Sequence, residues 1–379
     1  MSQPSRFVTV WSALEARVEQ GRVPGYAAAV RYRGDVEVHT GGCLELGGTR
    51  AVEPDSLFRL ASLSKPVAGV LTLALAADGV LDLDEPVDRW LSELSGPRVL
   101  ARPGGPLTET VPADRPITVR HLLTATAGFG GLWDGSPLDQ AVDSAGLSPG
   151  PLAPQLPAEE FMARLGALPL AAQPGERWLY HVSTEALSVL LARATGRPLA
   201  DLVAERVTGP LGLSDTGFVA ADPTRLTAAY LPQDGGLTLL DPPDGRAARA
   251  PAFPGLAAGL VSTAPDVLTF LSALADGGAP VLTPDAVATM TTDALTAAQR
   301  ESAPAFFPPG TSWGLQVGVD TGGGEHWRTA GRWGWDGGTG TTGWVDPARD
   351  LVAVLLTTRG YGGGADSTDW FWPALYGCL

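Results

Sequence analysis

Apolar residues recur along this chain with two periods, and the switches between them divide it into elements. Residues 7–21 (Phe-Val-Thr-Val-Trp-Ser-Ala-Leu-Glu-Ala-Arg-Val-Glu-Gln-Gly) follow a helical repeat and predict an amphipathic helix closed by Gly21. Tyr26–Tyr32 and Val36–Thr40 read as strands joined at Arg33-Gly34-Asp35, a hairpin. Val67 to Gly79 is apolar on every side and predicts a buried helix ending at a glycine. Residues 81–170 change character: Asp82–Trp90 and Ile117–Thr124 suggest short helices between Pro/Gly-rich loops. Residues 183–195 predict a helix ending at Gly196, and 222–257, rich in Pro, Asp and Gly, a loop with a short hairpin. Val267–Leu274 falls in a helical stretch. Trp313–Asp320, Trp327–Trp335 and Leu351–Thr358 read as antiparallel strands, and the chain ends in a helix holding Trp370, Phe371 and Trp372. No internal repeat is present.

This order places the N-terminal hairpin and the C-terminal strands in one sheet, with a helical region inserted between them. The expected fold is α/β in the α+β sense. Residues 1–85 and 205–379 would form a domain of antiparallel sheet flanked by helices, residues 86–204 a mostly helical domain, and the active site would lie between them. The length of 379 residues allows one large or two medium domains. A net charge of −15 argues against nucleic acid and anionic membrane as partners. Cys43 and Cys378 make no disulfide framework. The first residues lack an apolar signal core and no run of about 18 apolar residues occurs, so a cytoplasmic protein is expected.

Candidate chemistry concentrates in three stretches. The first is Phe58-Arg-Leu-Ala-Ser62-Leu-Ser-Lys65-Pro66, just before the apolar helix. Ser62 and Lys65, three apart, share a face, and Pro66 is tolerated only near a helix start. Ser62 thus sits where free N–H groups favour a developing anion. Lys65 is the only lysine among 26 Lys and Arg residues. A chain that otherwise uses arginine needs an amine here that can lose its proton. The plain alternative, a Ser/Lys pair on a surface helix, does not explain the apolar stretch behind it. The second stretch is Pro174-Gly-Glu-Arg-Trp-Leu-Tyr180-His-Val-Ser183. Tyr180 can serve as a general base if a cation lowers its pKa; the alternative is a half-buried tyrosine on an aromatic surface. The third is Gly331-Arg-Trp-Gly-Trp335-Asp-Gly337-Gly338-Thr-Gly340-Thr-Thr-Gly343, where a bare N–H could form half of an oxyanion hole, or where glycines simply turn between strands.

Together these stretches resemble the serine β-lactamase and penicillin-binding-protein superfamily, in the class C-like branch that includes the family VIII carboxylesterases. Trp335-Asp336-Gly337 falls where that family has Lys-Thr-Gly, or Trp-Gly-Gly in some esterases. Arg120-His-Leu-Leu-Thr-Ala-Thr-Ala-Gly, Gly209-Pro-Leu-Gly-Leu-Ser-Asp-Thr and Gly259-Leu-Val-Ser-Thr-Ala-Pro-Asp are further similarities in the same order. The resemblance implies a β-lactamase/transpeptidase-like fold and a serine hydrolase working through an acyl-enzyme, without a cofactor or metal. Ser62 would be the nucleophile, and Lys65 and Tyr180 the pair that takes its proton. The N–H groups of Ser62 and Gly338 would form the oxyanion hole. Trp335, Asp336, Gly337, Val182 and His181 would meet the substrate. Two departures stand out: Val182 replaces the asparagine of Tyr-x-Asn, and Trp335 replaces a cation. Both favour a small neutral ester over a carboxylate-bearing β-lactam or D-alanyl peptide. An acyltransferase sharing the acyl-enzyme, a β-lactamase or D-alanyl peptidase, and a binding protein on a dead hydrolase scaffold are the alternatives. The intact Ser62, Lys65 and Tyr180 argue against the last.

Several motifs are decoys. Gly146-Leu-Ser148-Pro149-Gly150 fits a nucleophile elbow, but that mechanism needs an N–H after the serine and Pro149 has none. Gly338-x-Gly340-x-x-Gly343 fits a dinucleotide fingerprint, but a strand follows it, not a helix. Ser214-Asp-Thr reads as a turn after Leu213. His39, His121, His181 and His326 lack metal-ligand spacing. His121 reads as a structural histidine. His181 lies beside Tyr180 and can touch substrate, though a solvated loop histidine is the plainer reading. Arg332 should face away from the site if its strand is regular.

Overall fold

The computed structural model describes residues 5–362 and 370–379. Its centre is a seven-stranded antiparallel sheet. In spatial order the strands are Asp35–Gly42, Gly25–Tyr32, Leu351–Thr357, Thr341–Asp346, Trp333–Gly337, Gly318–Asp320 and Thr311–Trp313. The N-terminal hairpin and the C-terminal strands do share this sheet, with Tyr26 opposite Thr357 and Tyr32 opposite Leu351. Side chains alternate across it. Ala27, Ala29, Val352, Val354 and Leu356 enter one core, whereas Tyr26, Ala28, Val30, Ala353 and Leu355 enter another. Both faces are covered, so these strands read as near-continuous apolar runs and not as alternating ones.

The helices Val8–Glu19 and Phe371–Tyr376 cover one face. Ala264–Ala275 packs on the other, against three of the central strands. Behind it lies Lys65–Ala77, buried from Lys65 through Leu75. A helix apolar all round belongs in a core, and this one packs on Val182–Thr195. Between residues 86 and 204 the chain forms 3₁₀ turns, helices and a two-strand ribbon of Arg98–Leu100 with Thr110–Pro112. The loop over 222–257 carries the hairpin Ala229–Gln233 with Gly236–Asp241.

Two strand expectations change. Trp313–Asp320 is broken by a turn in which Gly314 N–H donates to Val317 O and Gln316 takes a positive φ of 68°. The Gln316 amide is buried, donating to the Leu122 and Leu123 carbonyls and accepting from Thr184. Turning inward to meet them interrupts the strand. Trp327–Trp335 is a strand only from Trp333, because Arg332 N–H turns back to Thr329 O. Among the described residues no helix is long and apolar enough to cross a membrane.

Candidate active site

Ser62 sits in a short 3₁₀ turn, Ala61–Ser64, that runs directly into the Lys65–Ala77 helix. Ala61, just before it, has φ 46°, a left-handed conformation that costs a non-glycine residue on the order of 1–3 kcal/mol. Side chains of the Gly337–Thr341 turn hold it there. Thr339 Oγ1 donates to Arg59 O at 2.6 Å and Thr341 Oγ1 to Leu60 O at 2.7 Å. Only a glycine fits at 337, since a Cβ there would stand 2.2 Å from Leu60 O. This close approach brings Gly338 beside Ser62 on the wall of one cavity of about 660 Å³.

Lys65 is 1% exposed. Its Nζ lies 3.0 Å from Ser62 Oγ, 2.8 Å from Ala257 O and 3.3 Å from His181 Nδ1. Burial pulls the Lys65 amine down to about 7, and the Glu185 carboxylate only partly opposes that. Glu185, itself buried, is pushed up to about 7 for the same reason. His181 is held well below its ordinary value, first by burial and then by the Lys65 charge, and is neutral.

Tyr180 is pinned by its main chain, whose carbonyl accepts from Gly131 N at 2.9 Å. Its ring stacks on Trp178 at 5.3 Å and packs on Phe306. Trp335 Nε1 donates to the Tyr180 hydroxyl at 2.6 Å. Lys65 Nζ stands over the ring, 4.5 Å from its centre. Burial raises the hydroxyl pKa, and the bonds with Ser62 and Trp335 do not offset it. The expectation of a cation-depressed tyrosine fails here, because the lysine faces the ring and its own charge is the form that burial disfavours.

The structure therefore brings Ser62, Tyr180, His181, Trp335, Asp336 and Gly338 to one cavity, with Lys65 buried behind Ser62. It corrects three expectations. His181 is not solvated but buried under Lys65. Val182 does not meet the cavity and packs in the main core near Phe129 and Leu165. Gly337 packs against the Ser62 turn and does not line the cavity. Asp336 is engaged by Thr342 and by Trp344 Nε1 at 3.0 Å. The condition for Arg332 facing away, a regular strand, is not met: it sits in the turn before Trp333 and lines the same cavity as Ser62, bonded to Asp320 at 3.0 Å with its guanidinium near Trp344 and Trp372. Ser148 bonds the exposed Asp143, and His121 caps a helix with Thr118. Sequence reasoning missed Glu185. It gave no local signal, because His181 precedes the helix that starts at Val182 and turns with a positive φ. The Ala257 carbonyl had no signal.

A model of the family described as Beta-lactamase matches residues 11–376. Esterase EstB of Burkholderia gladioli is 32% identical over 388 residues, covering 95% of this chain and 94% of the esterase. Among solved structures, "EstCE1, a hydrolase with promiscuous acyltransferase activity" is similar with a TM-score of 0.83 at 24% identity, over 98% of each chain. Unliganded simvastatin synthase (LovD) from Aspergillus terreus gives 0.81 at 23% identity, over 99% of this chain and 98% of its own. The two structural likenesses establish the β-lactamase/transpeptidase-like fold. With the family model spanning nearly the whole chain and an esterase relative matched end to end, this chain belongs to the beta-lactamase family and is a serine hydrolase.

Proposed function

We propose that the enzyme is a carboxylesterase of the family VIII type, cytoplasmic, hydrolysing small neutral acyl esters through an acyl-enzyme on Ser62. The observation that carries this reading is the buried Lys65 amine 3.0 Å from Ser62 Oγ, drawn down to about 7. At neutral pH a substantial fraction is free amine, able to take the Ser62 proton as Oγ attacks the acyl carbon. The N–H groups of Ser62 and Gly338 receive the oxyanion. Tyr180 keeps its proton in the resting site and passes it to the departing alkoxide, regaining one from Lys65. Water, deprotonated by the same groups, then releases the acid. The cavity walls draw on both expected domains, with Trp133, Tyr180 and His181 from 86–204 and Ser62, Phe306 and Trp335 from the remainder.

The replacement of the family's cation by Trp335 favours a neutral substrate. Arg328 and Arg332 line the cavity and share Asp320, with Arg332 Nε and Nη2 left without a hydrogen-bond partner among the described residues, and Arg332→Ala tests whether they serve an anionic substrate. Trp335 stands at the position of the family's cation and offers its N–H to Tyr180. Binding a carboxylate without a cation at the Trp335 position forfeits about 1.5–3 kcal/mol per charge-assisted bond lost there, or roughly ten- to a hundredfold in affinity. The test compares kcat/KM for a neutral short-chain aryl ester and a cephalosporin. Equal efficiency would refute the preference. One observation favours acyl transfer as a second reading: about 660 Å³ exceeds the need of a short ester and leaves room for an acceptor alcohol. The printed descriptions of EstCE1 and simvastatin synthase concern such chemistry in those proteins. An ester panel with and without added alcohols separates hydrolysis from transfer.

A further inference from the structure

We propose that Glu185, acting through His181, balances the Lys65 charge in the resting site and takes a proton from it so that the amine is free to accept the Ser62 proton. Four groups stand in a row. Ser62 Oγ is 3.0 Å from Lys65 Nζ, Nζ is 3.3 Å from His181 Nδ1, and His181 Nε2 is 3.6 Å from Glu185 Oε1. Glu185 is 1% exposed, and its oxygens make no hydrogen bond of ordinary length, with the Ala257 main-chain N–H and His181 Nε2 facing them. A buried carboxyl in that condition is costly and calls for a reason. The main chain closes over it: a Cβ at Gly255 would stand 2.0 Å from Oε2, so the packing there accommodates the acid. His181 is held in place by strain. Its φ of 80° and ψ of −62°, with Val182 N donating to Tyr180 O at 3.1 Å, make a rare γ-turn.

The hydrogen-bond ledger fixes the direction of transfer. An ammonium at Lys65 has three protons, and Ser62 Oγ, Ala257 O and His181 Nδ1 accept them. The imidazole then carries its proton on Nε2, facing Glu185. Lys65 has no lone pair for Ser62 until one proton leaves. It passes a proton to Nδ1 while Nε2 gives its own to the Glu185 carboxylate. Lysine and glutamic acid are now neutral, the imidazole has changed tautomer, and the buried net charge is unchanged. The amine turns its lone pair to the Ser62 hydroxyl and takes that proton as Oγ bonds the acyl carbon; after Tyr180 has protonated the departing alkoxide and regained a proton from Lys65, the amine is free again and the reverse exchange resets the row. Burial draws the Lys65 amine down and the Glu185 carboxyl up, toward one another, and His181 stays neutral, as such an exchange requires. The 3.6 Å step is long, as is usual before substrate closes a site. The charged or titratable groups facing the row are Tyr180 and, through Tyr180, Asp336.

The experiment uses the full chain with Glu185→Gln and His181→Asn. It measures kcat and KM for a neutral aryl ester from pH 5 to 9, fluorophosphonate labelling of Ser62 over the same range, and Tm. Glu185→Gln should retain KM and lose roughly 10²-fold in kcat, because the resting Lys65 ammonium loses the buried acceptor for the proton it must shed before it can serve Ser62. The acid limb of kcat/KM should move to lower pH, because that ammonium is also less favoured at rest. His181→Asn should lose kcat comparably with Glu185 in place, and it carries the test if Glu185→Gln does not fold. Wild-type kcat and pH profile in Glu185→Gln would overturn the proposal, as would a loss of rate that follows Tm with the profile unmoved. The inference rests on Ser62 as the acylated group. A wild-type enzyme unlabelled at Ser62 sinks that reading, whereas a labelled wild type with an unaffected Glu185→Gln sinks the relay alone.

Discussion

Replacing Lys65 with arginine keeps the positive charge and removes the ability to give up a proton, so it separates a base from an electrostatic anchor. The amine is 1% exposed and has three partners within 3.3 Å, one of them Ser62. A guanidinium is larger and planar, and overpacking such a site costs about 1–3 kcal/mol. Losing a positioned base costs about 10²–10⁴ in rate, or roughly 3–5 kcal/mol of barrier. Lys65→Arg should therefore be nearly as inactive as Lys65→Ala while remaining folded. The wild-type profile supplies the control. With the amine drawn down to about 7, ammonium dominates below that pH and free amine above it, so kcat/KM should rise through about pH 7. The Arg variant should show no such limb. The assay is hydrolysis of a neutral aryl ester from pH 5 to 9, with Tm recorded for each protein. An Arg variant within about tenfold of wild type would make the lysine an anchor only and refute the reasoning.

Other consequences are equally direct. Ser62→Ala should abolish turnover with a loss of about 1 kcal/mol at most, typical of a single cap-like contact, whereas Ser148→Ala, bonded only to exposed Asp143, should keep full activity; paired ester assays and melts decide it. Tyr180→Phe should lower kcat by roughly 10²–10⁴ and leave circular dichroism unchanged, although Trp335 Nε1 loses its partner; an unchanged kcat would make Tyr180 a packing residue. Asp241→Ala should destabilise by about 3–5 kcal/mol, because it strands the buried guanidinium of Arg59, bonded at 2.6 Å; chemical denaturation measures this, and a loss below about 1 kcal/mol would mean that water reaches Arg59.

Much of this architecture was legible in the residues. The apolar run over Tyr26–Tyr32, the turn at Arg33-Gly34-Asp35 and the all-apolar run after Lys65 announce the sheet and its central helix. The rarity of lysine marked the one position that needs a titratable amine. What the residues concealed is long-range. Gln316 breaks a strand to satisfy carbonyls almost two hundred positions away. Val182 follows Tyr180 in sequence, yet the γ-turn at His181 sends it into the core and the imidazole beneath Lys65. Nothing local says that Glu185 lies on the face this turn buries. Tyr180 was expected to ionise beside a cation, but burial of the whole cluster acts on it more strongly than any single neighbour.

The central claim is that the acyl group is carried on Ser62 and that Lys65 takes the Ser62 proton as it is loaded. The direct measurement is intact-mass and peptide mass spectrometry after brief exposure to a fluorophosphonate and, separately, to a slow aryl ester. The account predicts one adduct on the peptide that contains Ser62 and Lys65, formed faster as pH rises through about 7 and absent in Ser62→Ala. An adduct on Ser148 or elsewhere, or ester turnover with Ser62 unmodified throughout, would contradict it.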